Sequence, residues 1–476
     1  MTAPIFNKSK IIATIGPSSM ATDTLDKMVK AGMDVVRINA SHGDHQMHKT
    51  IVDNIRQLNK DKKYKIPVLY DLQGPKLRIG EVMNNAAELV DGAAVRLTIH
   101  PCEGTSSMLH VHYPMFHNDV QAGDSVLIDD GKIELQVIAK EKDGVVVAKV
   151  VHGGVVSSRK GINLPYTKIS LPCLSEKDRE DLEFALDNRI EWIGLSFVRS
   201  ANDILELKKI IAERGMKTRV VAKIEKPEAL RDLDNIVRAS DAIMVARGDL
   251  GVEIAMEKVP VIQKNIVRTA IAYSKPVIIA TQMMESMITN YRPTRAEASD
   301  VANAVFDGAD ALMLSGETSV GAFPVKVVES MAKIIGIAET EDFIYHKQIE
   351  PIKDSRSFIS DSICYNACTM AQQSGAAGII AMTNSGYTAF RISSQRPRSH
   401  VFIFTDNMEM LTTLNLVWGV RAFHYDRYES SEDTISDIKA FLKKRGYVAD
   451  GDLLINVFST PLEKRGMANT IKLHVI

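Results

Sequence analysis

Eight short apolar runs separated by helix-like stretches constrain this chain more than any other feature. The first three cover residues 11–15 (IIATI), 35–38 and 68–72. Five more follow a gap, at 192–198, 220–224, 242–245, 277–280 and 311–314. Continuous apolar strands alternating with helices mark a parallel sheet buried on both faces. Residues 21–31 read as a helix stopped by Gly32, and 46–59 as the next helix. Eight such units point to a closed (β/α)8 TIM barrel. An open doubly wound sheet is the alternative that counting leaves standing.

Between 75 and 165 the rhythm breaks into short alternating segments, with turns at Asp129-Asp130-Gly131 and Gly153-Gly154. This reads as a small β-barrel lid inserted into the α/β unit. Beyond 354, a helix over 357–373 and strands over 378–382, 401–404, 422–425, 453–457 and 471–475 read as a separate α/β domain. The expected division is 1–74 with 166–345 for the barrel, 75–165 for the lid and 346–476 for the C-terminal domain. A length of 476 residues suits three domains at roughly 150 residues each.

Composition narrows the function class. Hydrophobic residues at 45% and charged residues at 25% give a globular balance and set aside a mostly disordered chain. Lys+Arg at 58 against Asp+Glu at 59 gives no sign of a whole-chain nucleic-acid or anionic-membrane binder. No apolar run approaches the roughly 18 residues of a membrane span, and the first ten residues show no secretory core. Cys102, Cys173, Cys364 and Cys368 form no CxxC pair, which excludes a disulfide scaffold and a simple zinc ribbon. Cys364 and Cys368, four apart on a helix, are expected as buried small hydrophobes. The expectation is a soluble cytoplasmic protein with reduced thiols.

In a barrel of this kind, chemistry sits where the strands end. Strand 2 runs into Arg37, Asn39, Ser41 and His42; strand 3 into Asp71, Gln73 and Lys76. Strand 5 carries Lys223 and ends at Glu225. Strand 6 leads into Arg247-Gly248-Asp249, strand 7 into Thr281-Gln282, strand 8 into Ser315-Gly316-Glu317-Thr318. Glu225 and Asp249, on neighbouring strand ends, suit Mg²⁺, which takes one or two protein carboxylates; ion pairing with nearby Arg or Lys is the competing role. Lys223, two residues before Glu225, shares its face of the strand. It either neutralises the carboxylates or holds a transferring phosphoryl group. Arg37 on the rim, with Arg78 and Lys160 at the two junctions of the insert, would make a cationic cleft for a polyphosphate nucleotide under a water-excluding lid. His42, in the loop, reads as a turn residue. There is no GxxxxGK[ST], no GxGxxG in context and no HExxH, so P-loop, simple dinucleotide-binding and zincin chemistries are set aside.

Read together, these residues resemble the pyruvate kinase family. The matching stretches are IIATIGPSS from Ile11, AGMDVVRINASHG from Ala31, LQGPKLRIG from Leu72, RKGINLP from Arg159, VAKIEKPEAL from Val221, IMVARGDLGVE from Ile243, ATQMMESM from Ala280 and RPTRAEASDVANAVFDGADALMLSGET from Arg292. They span nearly all of the barrel and both edges of the insert. The resemblance implies phosphoryl transfer from phosphoenolpyruvate to ADP, giving pyruvate and ATP in the last step of glycolysis. It implies Glu225 and Asp249 as ligands of Mg²⁺ or Mn²⁺. It gives Lys223 and Arg37 to the phosphoryl group, and Gly248, Asp249 and Thr281 to the substrate carboxylate. Asn39, Ser41, His42, Arg78 and Lys160 fall to the nucleotide, and a proton relay falls near Thr281 and Ser315. It also implies a homotetramer.

Two departures from the family pattern stand out. Leu72, Gln73, Lys76 and Ile79 form the combination of K⁺-independent relatives. The resemblance then implies that K⁺ is not required and that Lys76 serves as an internal cation near the Asn39, Ser41, Asp71 and Leu72 region; an outward-pointing surface Lys76 with K⁺ still bound is the alternative. In the last domain, Asp406 and Glu409 follow a strand where sugar-bisphosphate-activated relatives carry a Ser/Thr/Lys-rich loop, and they would repel phosphate. Arg391, Arg396, Arg398 and Lys464-Arg465 offer instead a site for a different anionic effector; surface solvation is the plainer role for each. A Mg²⁺-dependent barrel lyase or aldolase, and a catalytically silent metabolite sensor, are the alternative functions. The sensor reading expects loss of Lys223, Glu225, Asp249 or Thr281, and all four are present.

Overall fold

In the computed structural model, which describes residues 6–165, 167–427, 431–460 and 467–476, eight parallel strands close on themselves. They are β1 (Lys10–Thr14), β2 (Val35–Asn39), β3 (Val68–Asp71), β4 (Trp192–Leu195), β5 (Arg219–Ile224), β6 (Ala242–Ala246), β7 (Val277–Ala280) and β8 (Ala311–Leu314). Each pairs with its chain neighbours, and β1 meets β8 from Lys10↔Ala311 to Ala13↔Leu314. The closed barrel is the expected one.

Burial on both faces explains why the strands read as unbroken apolar runs. Ile12, Val35, Leu69, Trp192, Val221, Met244, Ile278 and Met313 pack into the barrel interior. Their alternates, among them Ile11, Val36, Tyr70, Ile193, Ile243 and Leu312, pack beneath the outer helices. Gly32, at φ 122, stops the first helix as expected. β4 is shorter than the apolar run 192–198. Phe197 takes φ 53, a left-handed conformation in which an extended strand cannot continue.

The insert has its own core, centred on Val95, Leu97, Leu109, Val126, Leu135 and Val146. Its seven-stranded sheet runs from Leu77–Arg78 at one edge to Met108–His110 at the other. A bridge between Ile79 and Val111 joins the two edges, so the sheet curls into the expected small barrel. The chain enters along Leu77–Arg78 and leaves along Gly161–Asn163, and these two segments pair antiparallel. Asn163 Nδ2 then donates to Glu253 Oε1 (2.9 Å), which also accepts from Lys226 Nζ (2.6 Å). This buried link ties the exit of the lid to the barrel.

The C-terminal sheet comprises β9 (Gly378–Met382), β10 (His400–Thr405), β11 (Val420–His424), β12 (Leu453–Phe458) and β13 (Thr470–Val475), in the order β11-β10-β9-β12-β13. All pairs are parallel except β12–β13. Cys364 and Cys368 are buried in the helix Phe358–Ser374, and burial pushes the Cys364 thiol up to about 12. Among the described residues no helix is long and apolar enough to cross a membrane.

The arginines proposed for an anionic effector are otherwise engaged. Arg396 is buried rather than solvated: its Nη2 donates to Asp310 Oδ2 (2.7 Å) and to the Gly308 carbonyl (2.8 Å), and its guanidinium lies over Trp418. Asp310 lies just before β8, so this pair fastens the C-terminal domain to the barrel. Arg391 pairs with Asp361, and Arg398 with Asp342. Asn407, in the loop after β10, caps the helix Met408–Thr413 through Glu409 N–H. Lys464 and Arg465 lie outside the described residues.

Replacing Arg396 strands Asp310 as an uncompensated buried charge. R396A should lower the unfolding free energy by about 3 kcal/mol or more, measured by urea unfolding with the fluorescence of Trp418 as reporter. A loss under about 0.5 kcal/mol, the range of surface substitutions, would show that the pair does not hold the domains together.

Candidate active site

β2, β3 and β5 deliver four charged side chains to one point at the C-terminal mouth of the barrel. Asp71, at the end of β3, is 1% exposed. Arg37 donates to its Oδ2 from Nε (2.9 Å) and Nη2 (2.6 Å). Arg37 Nη1 also donates to Thr14 Oγ1 (2.9 Å) on β1. Lys223 Nζ lies 3.2 Å from Asp71 Oδ1 and 3.0 Å from Glu225 Oε1, and donates to Ser196 Oγ (2.7 Å). The Ser196 hydroxyl in turn donates to the Leu72 carbonyl (2.6 Å). Gly194 makes room for this cluster: a Cβ there would stand 2.8 Å from Asp71 Oδ1.

The charges set one another. Burial pushes the Lys223 ammonium down, but Asp71 and Glu225 outweigh it and hold the group well above the ordinary lysine range. Burial pushes Asp71 up; Lys223 and Arg37 reverse that and hold it low. Glu225 is held high by burial, with Lys223 opposing and the Asp249 charge adding to the rise. Glu225 Oε2 accepts from Phe197 N–H (2.6 Å), made possible by the left-handed turn at Phe197. Glu225 Oε1 and Asp71 Oδ1 are buried and have no hydrogen bond beyond their ion contact with Lys223.

β6 and β7 supply the next wall. Thr281 has φ 67 and Gln282 φ 55. A β-branched residue in that region carries strain on the order of 1–3 kcal/mol, which surrounding bonds must hold. Thr281 Oγ1 donates to the Ala280 carbonyl (2.6 Å) and accepts from Gly248 N–H (2.8 Å). Arg247 Nη2 grips the Thr281 carbonyl (2.7 Å) while its Nη1 holds Asp300 (2.7 Å). Asp249 is half-buried in the short helix Arg247–Glu253. At the end of β8, Ser315 N–H donates to Glu317 Oε2 (2.7 Å).

The remaining expected residues lie around this centre rather than in it. Asn39 Oδ1 accepts from Ser41 N–H (3.1 Å), and His42 is an exposed loop residue whose N–H donates to the Asn39 carbonyl. In the lid, Arg78 donates to the Arg159 carbonyl (3.0 Å) and Lys160 pairs with Asp129 (2.8 Å). Lys76 is not a partner of Asp71. Its stem lies 3.3 Å from where a Gly161 Cβ would stand, at the lid junction. Sequence reading passed over Ser196, which sat inside an apparent strand, and gave Arg247 no role. It also missed Lys177, whose ammonium reaches the Ala40 carbonyl (2.9 Å) and Asp181 beside the Asn39–His42 loop. The capping box of Ser175 and Asp178 was the available signal for that helix.

The carboxylates are hard oxygen donors of the kind Mg²⁺ or Mn²⁺ takes. Among the described residues no group of three or more His, Cys, Asp or Glu is arranged to hold a metal.

Comparison with known proteins gives this arrangement a family. The family model "Pyruvate kinase, barrel domain" matches residues 6–328, and "Pyruvate kinase, alpha/beta domain" matches 361–474. The chain belongs to the pyruvate kinase family. A pyruvate kinase of Mycobacterium tuberculosis (strain ATCC 25618 / H37Rv) is 42% identical over 469 residues, covering 98% of each chain. One from Corynebacterium glutamicum is 41% identical with the same coverage. One from Geobacillus stearothermophilus is 40% identical over 473 residues, covering 98% of this chain and 80% of that one. Among solved structures, a pyruvate kinase from Cryptosporidium parvum superposes with a TM-score of 0.92 at 36% identity, covering 98% of this chain and 96% of that one. The chain is thus a phosphotransferase of the pyruvate kinase family, and the barrel lyase or aldolase alternative falls away.

Because Asp71 is held low, its contribution to stability is present above the unfolded-state aspartate value near about 4 and is lost as pH falls through the lower folded value. D71N removes that contribution at every pH. The gap in unfolding free energy between parent and D71N should shrink as pH is taken from about 6 towards about 3, measured by urea unfolding. A gap that stays constant would mean that Asp71 is not ion-paired in the folded protein.

Proposed function

We propose that this chain transfers the phosphoryl group of phosphoenolpyruvate to ADP at the mouth between barrel and lid, giving pyruvate and ATP. The observation that carries the site assignment is the Lys223 ammonium, fixed between Asp71 and Glu225 at the C-terminal ends of the strands. A preorganised positive charge in a water-poor site stabilises charge that develops on the transferring group and on the departing enolate oxygen. Held above the ordinary lysine range, Lys223 keeps its proton through neutral pH. It acts as a fixed charge and not as the acid that protonates the enolate carbon. That proton is assigned to a water relay near Thr281 and Ser315, on the neighbouring strand ends of β7 and β8.

Arg37 faces the phosphoryl group from β2. Gly248, Asp249 and Thr281 face the substrate carboxylate; the hydrogen bond from Gly248 N–H to Thr281 Oγ1 presents that wall as one unit. Glu225 and Asp249 hold the divalent cation; Glu225 Oε1, whose one described contact is the Lys223 ammonium at 3.0 Å, keeps a lone pair for it. Mg²⁺ or Mn²⁺, when bound by these residues, would supply positive charge to offset that of the phosphoryl group. Asn39, Ser41 and His42 from the barrel, with Arg78 and Lys160 from the lid, face the nucleotide.

The proposed domain division is 1–74 with 166–345, 75–165, and 346–476. Separate apolar cores in the barrel, the lid and the C-terminal sheet support it. A cytoplasmic homotetramer, with an anionic effector bound at the C-terminal domain, is the family-based expectation for assembly and control. Arg391, Arg396 and Arg398 are not assigned to that effector, since each already has a carboxylate partner.

K⁺ is proposed not to be required. Besides the pattern Leu72, Gln73, Lys76 and Ile79, the acceptors of the monovalent-cation region already have partners. Asn39 Oδ1 takes Ser41 N–H, the Leu72 carbonyl takes Ser196, and Asp71 takes Arg37 and Lys223. Lys76 is the proposed internal cation, placed at the junction where the lid meets the barrel.

The first test is pyruvate formation from phosphoenolpyruvate and ADP with Mg²⁺, in buffer free of K⁺ and NH₄⁺, before and after KCl. Full turnover without KCl is expected, and K76E should make turnover depend on KCl. An unchanged cation response in K76E removes Lys76 from this role. No turnover under any condition, with folded protein and candidate effectors tried, favours the sensor reading. K223M should lower kcat by about two to three orders of magnitude while leaving Mn²⁺ binding, followed by electron paramagnetic resonance, largely intact. Near-normal kcat would take Lys223 out of the mechanism.

A further inference from the structure

The loop that leaves β2 carries Asn39, Ser41 and His42 and turns through Gly43 into the helix His45–Lys62. Its backbone is held by groups outside it. Ala40 N–H donates to the Asp71 carbonyl (3.0 Å), and Lys177 donates to the Ala40 carbonyl (2.9 Å). The His42 carbonyl is met by His48 Nε2 at 2.8 Å, and His48 Nδ1 lies 2.9 Å from the Tyr70 hydroxyl. His48 is 2% exposed, and burial pushes its imidazole down, towards the neutral form.

These contacts define the tautomer. A carbonyl oxygen only accepts, so Nε2 carries the proton. Nδ1 of the neutral ring is then an acceptor, and the Tyr70 hydroxyl donates to it. Tyr70 immediately precedes Asp71 on β3, so the strand that delivers Asp71 to the site also orients His48. The alternative for the loop is local. Gly43 already sits at φ +78 and tolerates rotation of the peptide before it. If the His42 carbonyl were released and turned into the cleft, its negative end would face phosphate oxygens.

We propose that His48 is a positioning residue for nucleotide binding: locked as its Nε2–H tautomer by Tyr70, it holds the His42 carbonyl back and keeps the Asn39–His42 loop in the conformation that receives the diphosphate of ADP. The inference rests on the assignment of that loop to the nucleotide. His48 makes no described contact with Lys223, Glu225 or Thr281, so its effect falls on ADP and not on phosphoenolpyruvate.

Steady-state kinetics of H48L, H48Q, Y70F and N39A test this in the full-length enzyme. H48L loses a buried hydrogen bond and should raise the KM for ADP about tenfold, with kcat and the KM for phosphoenolpyruvate within about twofold of the parent. H48Q should restore most of the ADP affinity, because its amide nitrogen donates to the carbonyl and its amide oxygen accepts from Tyr70. Y70F keeps the ring and removes only the tautomer lock; it should raise the KM for ADP about threefold and carries the test should H48L fail to fold. N39A reports on the loop directly. If N39A raises the KM for ADP while H48L and Y70F leave it unchanged, the positioning role is overturned. Equal effects of H48L on both substrates, or no rescue by H48Q, overturn it as well. If N39A leaves ADP binding unchanged, the nucleotide assignment of the loop falls, and this inference with it.

Discussion

One buried ammonium between two buried carboxylates organises this molecule. Neither Asp71 nor Glu225 could be charged at 1% exposure without a compensating cation, and Lys223 could not keep its proton there without them. Arg37 balances the second oxygen of Asp71. The cluster thus fixes the relative heights of β2, β3 and β5, since a slip of one residue would turn a charge into the apolar layer beneath the helices. The same balance fixes the Lys223 ammonium in place before negative charge arrives, so that no rearrangement is needed, which is what phosphoryl transfer asks of a protein.

Around that centre, strain and support are paired. Phe197, two residues beyond β4, and Thr281, directly after β7, both stand at positive φ. Phe197 thereby aims its N–H at Glu225, and Thr281 aims its hydroxyl at Gly248. Arg247 holds the carbonyl of the strained threonine in place. The lid is coupled to the same region through Glu253, which joins Asn163 of the exit strand to Lys226. Lys226 follows Glu225 in the chain, and Glu253 ends the helix that begins beside Gly248 and Asp249. The lid exit is thus bonded to the helix and to the strand end that carry the two carboxylates proposed to hold the divalent cation.

At the opposite end of the barrel, the C-terminal domain is fastened by charges that have no surface role. Arg396 reaches Asp310 and lies over Trp418, while Trp418 N–H donates to the other oxygen of Asp310 (3.2 Å). Lys10, fully buried at the start of β1, donates to the Val420 carbonyl (3.1 Å), and burial pushes its ammonium down to about 8. Burying so many cations at one junction is costly unless each is matched, and Arg396 is matched by Asp310, which makes it a junction residue and not a surface cation.

Much was legible in the sequence. Apolar runs buried on two faces reveal a parallel sheet of β/α units because periodicity survives without coordinates, and the turn-rich stretch between 75 and 165 betrays an insert. Lys223 and Glu225 were readable as a pair because residues two apart on a strand share a face. What the sequence by itself determined was thus the element order, the eight β/α units and the polar residues at the strand ends, while closure of the sheet rested on the pairing of β1 with β8. Tertiary structure alone decided which charges meet. Asp71 with Lys223, Ser196 with the Leu72 carbonyl, His48 between Tyr70 and His42, and Arg396 with Asp310 come from separate segments. Their contacts depend on strand register and on the turns at Phe197 and Thr281. The physical reason is range: hydrophobic periodicity is local and written along the chain, whereas an ion pair is worth something only once burial has removed the water around both partners.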